Sequence, residues 1–248
     1  MYVVCNILHQ NDCRAIRVNS PHANLIQQTK MDNFIKLERP GTLQHQAYER
    51  IKTLLINGQL EFDRVYSATH FAEILGVSRT PIREALLQLT AEGFFVSLRG
   101  RGFKIKKFSV KEIQDFFEAR KVIEAYVIEQ LVDEVGEEDL KPLDDSLAHM
   151  INGCNKSESY RFLQADKSFH LHLIHRYRNS LLESIMGNIR DSIAILGQKA
   201  LTRPGRIQEV IKEHQDILTA FHQRNKGRAV RALKYHLDRT EKSILENL

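Results

Sequence analysis

GVSRTPIREALLQLTAEGFF, residues 76–95, decides how the first half of this chain folds. It reads as a tight turn followed by one amphipathic helix over about residues 79–93. Ile82, Ala85, Leu86 and Leu89 recur at three- and four-residue steps and give that helix an apolar face. Arg79 and Arg83, four apart, project together from the other side. Gly76 ends a preceding helix, Ser78 offers a hydroxyl N-cap, and Pro81 falls in the first turn, where its missing N–H costs little. A helix held by a core on one side, with two guanidiniums near its N-terminus, suits the floor of a DNA major groove. There an arginine donates two parallel hydrogen bonds to O6 and N7 of guanine. Alone, the helix is equally an ordinary surface helix with two solvated arginines. Its flanks decide.

Upstream, Ala47, Ile51, Leu54 and Leu55 make one helical stripe, closed by Asn57-Gly58. A second short helix over about 67–75 carries Phe71, Ala72 and Leu75. With the 79–93 helix these make a three-helix helix-turn-helix. Downstream, Phe94-Phe95-Val96 and Phe103-Lys104-Ile105-Lys106 read as two short strands around a cationic, glycine-rich tip, Arg99-Gly100-Arg101-Gly102. That is a β-hairpin wing whose arginines reach phosphate or the minor groove.

On these residues the segment 43–107 resembles the winged helix of the GntR family of bacterial transcription regulators. The strings GVSRTPIREAL and GRGF carry the resemblance. It implies base or phosphate contact from Arg79, Thr80 and Arg83, with Arg101 and Gly102 contributed by the wing. The segment before the turn departs from the family pattern. Where relatives carry leucine, serine and glutamate, this chain has Tyr66-Ser67-Ala68-Thr69, and Thr69 falls near a position often held by a further DNA-contacting arginine. The operator sequence is therefore not set by the resemblance.

The chain has 248 residues, 42% of them hydrophobic, enough for two domains with real cores. Its net charge of +5 is uneven: +2 over residues 1–40, +4 over 41–107 and −1 over 108–248. The basic excess sits with the helix-turn-helix, as a polyanion partner requires. No apolar run approaches the roughly 18–20 residues of a membrane span, and the opening MYVVCNIL lacks the basic leader and cleavage site of a secretory signal. Cys5, Cys13 and Cys154 stand at unrelated spacings that give neither a disulfide framework nor a thiolate metal site, so a reducing cytoplasm is the expected home. Residues 1–40 show no sustained periodicity. They are expected to form a disordered extension, with Met31 a natural start for translation.

After the wing, Ser109-x-x-Glu112 is a capping box that opens a helix running to about residue 133. Further helices are expected at about 137–152, 157–177, 180–200, 204–224 and 226–246, with Ser180-x-x-Glu183 a second capping box. The fold class is mainly α: an N-terminal winged helix-turn-helix (41–107) and a C-terminal all-α bundle of about six helices (108–248).

Polar residues interrupt the apolar faces of that bundle. On the 157–177 helix, Asp166 and His170 stand among Phe162, Leu163, Phe169, Leu173 and Tyr177. His214 stands among Ile207, Val210, Ile211, Ile217, Leu218 and Phe221, and His236 among Ala229, Ala232, Leu233, Leu237 and Ile244. Four polar groups from three helices point at the core, and burying them unpaired costs on the order of several kcal/mol. One oxygen and three imidazole nitrogens suit Zn²⁺ or a similar divalent first-row ion. The alternative is that each histidine finds a backbone carbonyl, or that Asp166 pairs with one imidazole. His149, His172, His175 and His222 lie off the inward stripes and read as solvated. On the 109–133 helix, Arg120 and Glu124 interrupt an apolar face at i, i+4. They are either an intrahelical ion pair, or Arg120 receives a ligand carboxylate beside the metal as a planar bidentate donor.

These residues extend the resemblance. FFEARKVIE around Arg120, Asp166-x-x-x-His170 within ADKSFH, Glu213-His214 and His236 are similar to the FadR-type (FCD) ligand-binding domain, and six helices to its smaller, VanR-like subgroup. The resemblance implies that Asp166, His170, His214 and His236 hold a divalent metal ion and that Arg120 lines the effector pocket. Asn179 matches an asparagine common after the ADKSFH-type helix and is carried as an effector-site candidate. The expected protein is a homodimeric, ligand-responsive repressor on a two-fold operator, whose effector is a small organic acid rather than a long-chain acyl-CoA. Two other classes stay open on the residues: a metal-dependent enzyme using the Asp/His₃ site, and an architectural DNA binder whose helical domain only dimerises.

Overall fold

The computed structural model describes residues 42–153, 159–201 and 203–248. The expectations for residues 1–40 and for the three cysteines lie outside these. In chain order the first half contains α1 (Leu43–Ile56), β1 (Val65–Tyr66), α2 (Ala68–Leu75), α3 (Arg79–Ala91), β2 (Phe95–Leu98) and β3 (Gly102–Ile105). Thr42 caps α1 by accepting from the His45 N–H at 3.2 Å, and Ser67 caps α2 by accepting from that of His70 at 3.0 Å. Gly76 ends α2 in the left-handed region at φ 66°, which frees the chain to turn into α3. Ser78 occupies the N-cap position of α3, but its hydroxyl makes no capping hydrogen bond, contrary to the sequence expectation.

The hairpin β2–β3 is joined on its other edge by β1, so the antiparallel sheet runs β1-β3-β2. The sequence reading missed β1, because two residues are too short to show alternation. Its presence explains Gly102. That glycine has φ 124°, and a Cβ built there would lie 2.5 Å from the Tyr66 carbonyl oxygen. The wing therefore needs glycine at this position in order to pair with β1 at all.

Ile51, Phe71, Ile82, Ala85, Leu86, Leu89, Phe94 and Phe95 are buried together as the core of this half. Ala194 and Ile195, from far along the chain, complete that core.

The second half is α4 (Val110–Leu131), α5 (Glu137–Asn152), α6 (Ser159–Arg176), α7 (Ser180–Ala200), α8 (Arg206–His222) and α9 (Lys226–Leu245). The capping box at α4 forms in both directions: Ser109 N–H donates to Glu112 at 2.8 Å, and Glu112 N–H donates to the Ser109 hydroxyl at 3.2 Å. The second expected box does not form as read. The cap of α7 is Asn179, whose carboxamide oxygen accepts from the N–H groups of Leu181 (3.1 Å) and Leu182 (3.2 Å). Helix α4 packs on α9, α5 on α6, and α8 on α9 around a core containing Phe117, Phe162, Phe169, Phe221 and Leu233. No helix among the described residues is long and apolar enough to cross a membrane.

Candidate functional site

Two regions carry the residues singled out by the sequence. On α3, burial of Ile82, Ala85, Leu86 and Leu89 turns the opposite face outward. Arg79, Thr80 and Arg83 are exposed there, and Arg101 is exposed at the wing tip. Among the described residues, none of the three arginines has an ion-pair partner. Gly102 is half-buried under β1, so its backbone geometry, set out above, accounts for the glycine without any ligand.

The second region lies inside the helical half. Asp166 and His170 (α6), His214 (α8) and His236 (α9) are all buried, and one ligand atom from each lies within 4.8 Å of the others. The inward stripes of three helices thus converge as their periodicity required. Each imidazole is oriented from behind. His170 Nδ1 faces a Glu124 carboxylate oxygen at 2.5 Å, His214 Nδ1 faces the Val210 carbonyl at 2.8 Å, and His236 Nδ1 faces Glu213 at 2.8 Å. Those partners only accept, so every Nδ1 carries a proton, and a neutral ring then turns the lone pair of Nε2 inward. His214 Nε2 lies 3.3 Å from His170 Nε2 and 3.3 Å from Asp166 Oδ1. His236 Nε2 is buried with no hydrogen-bond partner among the described residues. Burial pushes His170 down to about 4 and His236 down to about 3, so both are neutral at pH 7. Three inner imidazole nitrogens and a carboxylate oxygen therefore face one another, an arrangement that fits a shared cation. Both parts of the alternative reading find a counterpart: His214 meets a carbonyl through the nitrogen pointing away from the cluster, and its inner nitrogen lies within ion-pair distance of Asp166.

Charged residues ring this cup. Arg120 Nε donates to Glu124 at 2.7 Å, so the intrahelical pair exists, yet both terminal nitrogens of the guanidinium are buried without hydrogen-bond partners among the described residues. Burial first, and the neighbouring Arg190 second, push Arg120 down to about 10, which leaves it charged at pH 7. Arg190 (α7) donates to Asp166, and its own Nε has no hydrogen-bond partner among the described residues. Burial, the largest influence on Asp166, would raise it, but the Arg190 guanidinium, His214 and His170 together outweigh it and hold the carboxylate well below its usual range. Arg206, at the start of α8 and almost fully buried, grips Glu213 with two bonds of 2.6 and 3.1 Å. Glu213 in turn holds His236. With neutral imidazoles, the buried charges of Arg120, Arg190 and Arg206 balance those of Glu124, Asp166 and Glu213. Asn179 is not brought to the cup. It is exposed, and its side chain is spent on capping α7.

Sequence reasoning missed Arg190 and Arg206, and gave Glu213 no role. A signal existed for Arg190, which shares a helical stripe with Met186, Ile189 and Ile193. The pairing of Arg206 with Glu213, seven residues apart on one helix face, was equally readable.

An exposed cationic helix and wing, joined to a buried histidine cup in a helical bundle, define a two-domain DNA-binding regulator. Residues 43–105 match the bacterial regulatory proteins of the gntR family and residues 115–239 match the FCD domain. The chain belongs to the GntR family, in the branch that carries an FCD domain, and is a DNA-binding transcriptional regulator, not an enzyme. It is 27% identical to the uncharacterized HTH-type transcriptional regulator YdhC of Bacillus subtilis (strain 168), over 84% of this chain and 93% of that protein. It is 26% identical to the regulator LutR of the same organism, over 76% of this chain and 94% of that protein. The gluconate operon transcriptional repressor, also of that organism, is 23% identical over 84% and 87% of the two chains. Among solved structures, Escherichia coli McbR/YncC shares the fold with a TM-score of 0.73 at 19% identity, over 83% of this chain and 98% of that one.

Proposed function

We propose that this regulator is a ligand-controlled repressor that works as a homodimer on a two-fold operator in the cytoplasm. Arg79, Thr80 and Arg83 read base edges or phosphates in the major groove, and the wing reaches the backbone or minor groove with Arg101, on a hairpin shaped by Gly102. Two copies place two reading helices on paired half-sites. Asp166, His170, His214 and His236 hold a divalent first-row ion such as Zn²⁺, and Arg120 receives the carboxylate of a small organic-acid effector. An ion at this site supplies a Lewis-acidic anchor for an anionic ligand. The chain's own residues do the rest: Glu124 and Glu213 fix the imidazoles, and Arg120 offers a fork of free N–H groups. The effector changes operator affinity by its differential affinity for two arrangements of the protein. Asn179, occupied as a helix cap, takes no part in the proposal.

The observation that carries this reading is the buried convergence of four potential ligand atoms beside a guanidinium whose outer nitrogens lack hydrogen-bond partners among the described residues. Elemental analysis and calorimetry with Zn²⁺ test it. The wild type takes up the ion, and His236→Ala, which removes a ligand without stranding a charge, loses it. Full occupancy in that variant would take His236 out of the ligand set. For the effector, Arg120→Lys weakens binding of whichever carboxylate shifts the melting of the metal-loaded protein; an unaltered affinity would leave Arg120 with its Glu124 pair alone.

A further inference from the structure

The cup and the DNA-binding half are joined by a short polar chain that neither the helix-turn-helix nor the metal site needs for itself. Asp166-Lys167 on α6 faces Arg190-Asp191 on α7, and the two dipeptides pair with opposite polarity: Arg190 with Asp166, and Lys167 with Asp191. The first pair ends in the cup. The second is shared with the DNA-binding half, because Asp191 Oδ2 also takes Lys52 Nζ of α1 at 2.8 Å. Lys52 in turn donates to the Tyr48 hydroxyl at 2.8 Å, and Tyr48 donates to Glu92 at 2.7 Å. Glu92 is the residue that closes α3, the reading helix, and its other oxygen accepts from Gln88 of that helix at 3.1 Å. One turn further along α7, Ala194 and Ile195 are buried in the core on which α3 rests. A single stretch of α7 therefore touches a cup carboxylate with one residue and the support of the reading helix with the next.

We propose that Arg190-Asp191 is the coupling element of this regulator, which transmits the filling of the cup to α3 through Lys52, Tyr48 and Glu92. The proposal rests on the reading of the cup as a cation site. Asp166 is the anion that Arg190 neutralises while the cup is empty, and it must share its charge once a cation is held there. The hold of α6 on α7 at Arg190 then loosens, while Asp191 keeps α7 tied to Lys52. A shift of α7 so released moves Asp191, Ala194 and Ile195 together, and the C-terminal end of α3 with them. The chain is buried at Arg190 and Asp191, where ion pairs are set by geometry and not averaged by water. A merely adhesive contact between the halves would need only the apolar pair.

The test uses the full-length protein, a duplex selected in vitro for binding, and Zn²⁺ as the probe. Operator affinity is measured with Zn²⁺ and after stripping by chelator, and Zn²⁺ uptake is measured separately by calorimetry. In the wild type the two operator affinities differ by about 5–150-fold, the usual range of coupling between sites. In Asp191→Asn the ratio falls below about twofold while Zn²⁺ uptake persists. Lys52→Met, cutting the same chain from the other side, repeats the result if the first variant folds poorly. Asp216→Asn, in the surface pair with Lys212, keeps the wild-type ratio. A wild-type ratio retained in both Asp191→Asn and Lys52→Met overturns the coupling element and leaves the cup intact. A wild type that binds Zn²⁺ without any change in operator affinity likewise overturns it. A wild type that takes up no Zn²⁺ removes the reading of the cup, and the coupling element falls with it.

Discussion

The reading head and the cup carry similar chemical groups under opposite conditions. Arg79, Arg83 and Arg101 are exposed, with no ion-pair partner among the described residues, so the unbound fold spends little on desolvating them. Arg120, Arg190 and Arg206 are buried, with three carboxylates and three imidazoles packed around them. In the first region a charge is spare until DNA arrives, and its removal should be felt only in binding. In the second each charge is part of the core. A change there should act on folding and, under the proposed function, on ligand affinity as well.

The sharpest way to break that contrast is to remove one arginine from each side. Arg206→Met strands Glu213, which keeps only His236 as a buried partner. It should cost about 3–5 kcal/mol in urea unfolding and weaken Zn²⁺ binding about 10–100-fold, because His236 loses its orientation. Arg83→Ala should change stability by no more than about 0.5 kcal/mol. Equal costs for the two would mean that burial does not separate these regions.

Legibility in the sequence follows the same division. The six helices of the second half were placed within two residues at each end, apart from the start of the 157–177 helix, which lies outside the described residues, because long amphipathic helices announce themselves by period. The four cup residues were found for the same reason: polar side chains on apolar stripes have to meet somewhere. What stayed hidden was decided by tertiary structure. Two-residue β1 has no period, and Ser78 holds a cap position without making the bond. Asn179 takes the cap that Ser180 was expected to supply, which turns a candidate site residue into a structural one. Arg190 stands on a readable stripe, but its partner Asp166 lies 24 residues away, and no local pattern names such a partner. Ala194 and Ile195 crossing into the first core could not be read from periodicity at all.

A second test concerns whether the wing belongs with the exposed half or with the core. Gly102 sits on the surface hairpin, yet its substitution should behave as a core change. Gly102→Ala meets the Tyr66 carbonyl and a φ of 124° that an L-residue rarely adopts. The cost should be about 2–4 kcal/mol in thermal or urea unfolding, from strain and overpacking together. A variant with wild-type stability and weakened DNA binding would instead assign Gly102 to contact. On the exposed side, Arg83→Ala should reduce discrimination between operator and mismatched duplex by about 1–3 kcal/mol. Unchanged footprints would remove Arg83 from base readout.

The smallest expected effect lies at the junction of the halves, where Glu112 serves both. It closes the capping box of α4 and pairs with Lys106, the residue just past β3, at 2.5 Å. Lys106, then the Ser109 backbone N–H, hold its carboxyl down at about 2. Because that value is below the ordinary carboxylate range, the stabilisation is complete above about pH 4.5 and fades as pH falls toward 2. Glu112 is substantially exposed, so water screens the pair, and Glu112→Gln should cost only about 0.5–1 kcal/mol at pH 7. The gap between variant and wild type should close on acidification. A gap independent of pH would assign the loss to the capping geometry alone and leave Lys106 without a share in it.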